Sequence, residues 1–92
     1  MATFIAENGN RWEVEPKDGK SFSLEELCRL LDCRLVEAVG LGKGLTMWLD
    51  EEGKLTNRAW NLVATKLLAQ AGGMPGDRVC GPVLITSGGE VE

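Results

Sequence analysis

The stretch Leu45–Asn57, LTMWLDEEGKLTN, decides how the rest of the chain is read. Leu45, Met47 and Leu49 alternate with Thr46, Trp48 and Asp50, the period-two pattern of a strand that turns its first triplet to a core and Trp48 to the opposite face. Glu51-Glu52-Gly53-Lys54 supplies turn chemistry, after which Thr56 or Asn57 can cap a helix. That helix is predicted from Arg58 to Gln70, stopped by Gly72 or Gly73, with Trp60, Val63, Ala64, Leu67 and Ala71 on its buried face. Asn57, Asn61 and Thr65 lie four apart on a neighbouring stripe. They form either a row of hydrogen-bonding groups for a ligand or, more plainly, a cap and ordinary helix surface.

Upstream, Phe4–Glu7 and Arg11–Val14 flank Asn8-Gly9-Asn10, a hairpin pattern in which Trp12 and Val14 share a core face and Arg11, Glu13 and Glu15 the solvated one. Ser23-Leu24-Glu25-Glu26 is a capping box that opens a helix from Leu24 to Leu31, with Leu24, Leu27, Cys28 and Leu31 as its apolar stripe. Residues 34–39, RLVEAV, read as a strand. Gly40-Leu41-Gly42-Lys43-Gly44 lacks the spacing of a phosphate cradle and leads to a strand instead of a helix, so a hairpin is favoured there. Asp50-Glu51-Glu52 lacks the alternating ligands of a calcium loop.

Downstream, residues 72–77 are loop and residues 78–86, RVCGPVLIT, the last strand, which Pro82 obliges to bend, start late or lie at an edge. Residues 88–92 read as a frayed tail, leaving residues 1–87 as one domain. The expected fold is therefore α+β: a single small domain with a mixed or antiparallel sheet of about five strands and two helices packed on one face.

Composition narrows the function. With 43% hydrophobic and 26% charged residues the chain has the makings of a globular core but no run long enough for a membrane helix. Met1–Ile5 carries no basic segment, so neither a secretory signal nor a membrane partner is expected, and a cytoplasmic location follows. A net charge of −4 opposes phosphate neutralisation, which argues against nucleic acid, while the acids are spread too evenly for a nucleic-acid mimic. Cys28, Cys33 and Cys80 show no paired spacing and there is no His, so no metal or other cofactor is expected, and the thiols fit a reducing compartment.

The order PKDGKSFSLEEL (Pro16–Leu27), RLVEAVGLGKGLTMWLDEEGKL (Arg34–Leu55), N-x-x-A-T-x-L (Asn61–Leu67) and GD-x-V-x-GPVLI (Gly76–Ile85) resembles the small proteins called domain of unknown function, family 3846, over residues 14 to 86. The chain departs from that pattern at Asp32-Cys33, where the family often carries a glycine pair. The resemblance implies a genomic setting on phages, prophages and conjugative elements, and no activity.

Without His, Tyr or a nucleophile motif the chain offers no catalytic residues, and binding is the expected mode of action. The setting implied by the resemblance makes an antagonist of a host defence factor the leading reading, acting on a host protein. A sequestering protein for a small, nucleotide-like ligand is the alternative, and an enzyme of unspecified type the lesser one. A homodimer is a further partner arrangement considered. Candidate binding residues are Thr46, Trp48, Asn57, Asn61 and Thr65. Trp48 either meets a partner, a second copy or a ligand, or is covered by the first hairpin or by the helices.

Overall fold

The computed structural model describes residues 2–53, 55, 57–72, 78–88 and 91. The expected cap at Thr56, the turn residue Lys54 and the loop over residues 73–77 lie outside them. In chain order the elements are β1 (Ala2–Ile5), β2 (Arg11–Val14), α1 (Leu24–Leu30), β3 (Val36–Gly42), β4 (Leu45–Asp50), α2 (Leu62–Gln70) and β5 (Val83–Ser87). All five strands join one sheet in the order β2-β1-β5-β4-β3, and every pairing is antiparallel. The α+β class and the strand number are as the patterning requires.

Two hairpins build the sheet from its edges. Between β1 and β2 the Gly9 N–H donates to the Ala6 carbonyl (3.0 Å) and the Ala6 N–H to that of Asn10 (2.8 Å), with Gly9 at φ +92°, a three-residue loop closed by a left-handed glycine. Between β3 and β4 the glycine-rich segment is largely strand. β3 runs on to Gly42 through a register shift after Gly40, and the chain reverses over Lys43 (φ +54°) and Gly44 (φ +77°). β5 fills the gap between the hairpins. It starts late, immediately after Pro82, so a residue without an N–H stays out of the ladder of a central strand.

The helices do not share a face, contrary to the expectation of two helices packed on one side. α1 packs with Leu27 over Ala2 and Leu84, together with Phe22 and Leu31, and Trp48 lies against this cluster. α2 packs with Ala64 over Ile5, Met47 and Val83, with Val63, Leu67 and Leu68 around it. Alternation along β4 and β5 sends Met47, Val83 and Ile85 to the α2 side and Trp48 and Leu84 to the α1 side. The continuous apolar run Val83-Leu84-Ile85 reflects this, because a central strand covered on both faces has no solvated side to alternate with.

α1 begins at the expected capping box, with Ser23 accepting from the Glu26 N–H and Glu26 reaching back to the Ser23 N–H. It ends at Leu30 with Leu31 as C-cap, followed by Asp32 in the left-handed region (φ +50°), where the Cys33 N–H bonds to the Cys28 carbonyl (2.9 Å) and the Asp32 N–H to that of Arg29 (3.3 Å). Leu27 and Leu31 of its expected stripe are fully buried, while Leu24 is exposed. Trp12, expected in the core, stacks on Phe4 with ring centroids 4.8 Å apart but stays 51% exposed, because β2 is an edge strand. Val91, in the expected tail, forms a parallel bridge with Phe22 and packs on the α1-side cluster.

Candidate interaction site at the entry to α2

The helix expected from Arg58 starts at Leu62, and Asn61 is its N-cap. The Asn61 carboxamide oxygen accepts from the Ala64 N–H (3.0 Å), while its NH₂ donates to the carbonyls of Ile5 (3.2 Å) and Gly81 (3.0 Å). The residue is fully buried, with every bond it offers answered by backbone. Ahead of it the chain is extended. The Asn61 N–H donates to the Val79 carbonyl and the Gly81 N–H to that of Ala59, both at 2.8 Å, so residues 59–61 run antiparallel to residues 79–81 with Trp60 opposite Cys80. These tertiary hydrogen bonds displace the helix that the local sequence would extend to Arg58. Asn57 is exposed and left-handed (φ +57°), a turn residue and not a cap.

Thr65 completes the arrangement. Its hydroxyl donates to the Asn61 carbonyl (2.7 Å) and accepts from the Trp60 indole N–H (3.0 Å) and the Val79 N–H (2.9 Å). Asn61 and Thr65 therefore act together, as their spacing implied, but their polar atoms hold the local backbone and Trp60. Trp60, expected in the core, precedes the helix and is 53% exposed. Leu62 and Leu55 are exposed beside it in sequence. The stretch thus presents large apolar side chains from a backbone fixed by hydrogen bonds. Reading Asn61 as the cap would have found this, since it moves Trp60 out of the helical stripe.

Below this segment lies an anchored cation. Arg58 donates to the Leu31 carbonyl (2.7 Å) and the Asp32 carbonyl (2.5 Å), the free carbonyls at the end of α1, and forms ion pairs with Asp50 (3.4 Å) and Asp32 (3.6 Å). Asp50 is buried and also accepts from the Glu52 N–H (2.8 Å). Two glycines make room: a side chain at Gly53 would meet the Cys80 carbonyl at 2.5 Å, and Gly81 (φ +94°) lies against the Arg58 side chain.

Thr46 and Trp48 sit elsewhere, on the α1 side of the sheet. The Trp48 indole donates to the Thr86 hydroxyl (2.9 Å), and Thr46 is the cross-strand neighbour of Thr86. Trp48 is half-buried against the α1-side core cluster. The five candidate residues form two groups, Thr46 with Trp48 and Asn61 with Thr65, with Asn57 apart from both.

A cavity of about 150 Å³ lies between Glu37, Asp50, Glu51, Leu68 and Arg78, and a more open one of about 230 Å³ between Lys43, Leu67 and Gln70. No helix among these residues is long and apolar enough to cross a membrane. No curated protein and no solved structure matches the chain. The family described as Domain of unknown function (DUF3846) matches it over residues 1–92, further at both ends than the motifs that carry the resemblance, and the chain belongs to that family.

Proposed function

We infer that the protein acts by binding another protein through the entry to α2. The observation that carries this reading is Trp60: its indole is half exposed yet held by Thr65 and by a backbone paired to residues 79–81, with Leu62 exposed two residues on. A large aromatic presented at little remaining entropic cost is the usual centre of a protein interface. The cavity beside Asp50, at about 150 Å³, and a more open one between Lys43, Leu67 and Gln70, at about 230 Å³, both fall short of the ~300 to 1,000 Å³ of small-molecule sites, which favours a protein partner over a sequestered ligand. In the setting that the family resemblance implies, the partner is a host factor and the protein an accessory antagonist of host defence.

The test is tagged protein expressed in a natural host, wild type against Trp60→Ala. Wild type captures a specific host protein, and the variant, with its melting temperature within a few degrees because the side chain is exposed, captures at least about tenfold less. Capture unaffected by the substitution overturns the site. A stoichiometric small molecule released on denaturation would favour sequestering instead.

A further inference from the structure

We propose that the outer edge of β2 pairs with the same edge of a second copy of this chain, around a two-fold axis at Trp12, to make one continuous sheet across the dimer. Among the described residues no strand lies beyond β2, and Arg11, Trp12 and Glu13 are exposed. The hairpin fixes which backbone groups face outward. The Ala6 N–H bonds to the Asn10 carbonyl, so this pair is the hydrogen-bonded closure, and the antiparallel alternation makes Ile5/Arg11 unbonded, Phe4/Trp12 bonded and Thr3/Glu13 unbonded. Arg11 and Glu13 therefore point their N–H and C=O groups away from the sheet, as the groups available to a new strand.

These two residues carry opposite charges on one face, and a two-fold axis decides between registers. Centred on Trp12, Arg11 of each copy pairs with Glu13 of the other, outward groups meet outward groups, and two opposite-charge pairs form. Centred on Glu13 or Arg11, like charges oppose each other. A shift by one residue sets outward groups against inward ones and reverses the faces. Natural edges are often protected by charge of one sign; this one is self-complementary in a single register. On the opposite face Trp12 meets its own copy at an unbonded position, where side chains approach most closely, so the observed Phe4–Trp12 stack continues into the second subunit. The other edge, β3, has no such match: Glu37 is its one charged residue, and Glu37 opposes either itself or a neutral residue in a two-fold pairing.

With four residues in β2 the contact is small, so the dimer is weak and concentration-dependent. Sedimentation of the full chain from micromolar concentrations to about 1 mM reads it. Wild type dimerises. Arg11→Glu and Glu13→Arg each weaken the dimer by about tenfold or more, since symmetry counts each repulsive pair twice. The double variant restores it, and the two single variants mixed together form a 1:1 heterodimer. Wild-type amide exchange supplies the independent measurement: protection at Arg11 and Glu13 rises with concentration, while that at Trp12 does not change. A wild-type chain monomeric throughout, a dimer indifferent to the charge variants, or Arg11 and Glu13 amides unprotected at every concentration overturns the proposal.

Discussion

Asn61 spends one side chain on three backbone groups from two directions, capping α2 with its oxygen and tying β1 to the Gly81 turn with its nitrogen. Asn61→Asp keeps the acceptor for the cap but sets a carboxylate against two carbonyls, whereas Asn61→Ala removes both. We expect Asn61→Ala to cost about 2 to 4 kcal/mol, a lost cap plus buried carbonyls left unpaired, and Asn61→Asp at least as much despite the good cap. Urea unfolding of the three proteins checks this; Asp tolerated as well as Asn would mean the cap alone matters. At Cys33 the thiol is pushed up to about 11 from an ordinary 9.0, chiefly by burial, with Asp50 and Cys28 acting in the same direction. Below the unfolded value both states hold the proton and stability is unaffected. Between about pH 9 and 11 the unfolded chain releases it first, so stability falls as pH rises through that window. Melting curves of wild type and Cys33→Ser across it should diverge, with wild type declining more steeply.

The elements themselves were largely legible: the β1–β2 hairpin from Asn8-Gly9, α1 from its capping box and β4 from strict alternation are all present, though β1 lies at Ala2–Ile5 instead of Phe4–Glu7 because Ala6 and Glu7 are taken up by the loop closure. What was not legible is whatever long-range bonding decides. The start of α2 is one case, where Asn57 and Asn61 are equally good caps by composition and only the pairing of residues 59–61 with residues 79–81 selects between them. Trp12 is another, because alternation assigns a face but not whether the strand lies at the rim. Of the candidate site, the coupling of Asn61 to Thr65 was readable from their spacing, and the display of Trp60 was not. Arg58 is the joint between these elements, bonded to the end of α1 and paired with Asp50 at the end of β4. Arg58→Ala leaves a buried carboxylate and two helix-end carbonyls without their cation, and we expect a loss of about 3 kcal/mol or more in chemical denaturation. A loss within about 0.5 kcal/mol, as at an ordinary surface site, would show the pair to be dispensable.

At the scale of the molecule, the sheet is a partition with a separate core and a separate helix on each side, and the adjacent strands β1 and β5 each contribute buried apolar residues to both, Ala2 and Leu84 on one side and Ile5 and Val83 on the other. β5 is also the last of the five to leave the ribosome. During synthesis the residues of both hairpins emerge before the strand that joins them, each hairpin with a flank destined for β5, and each core still lacks its β5 residue, Leu84 or Val83. Assembly must therefore wait until the chain through Ser87 has emerged, so folding is dominated by contacts between distant parts of the chain. Until then the nascent protein carries two unpaired strand borders of its own, so its hazard of mispairing is greatest just before β5 arrives.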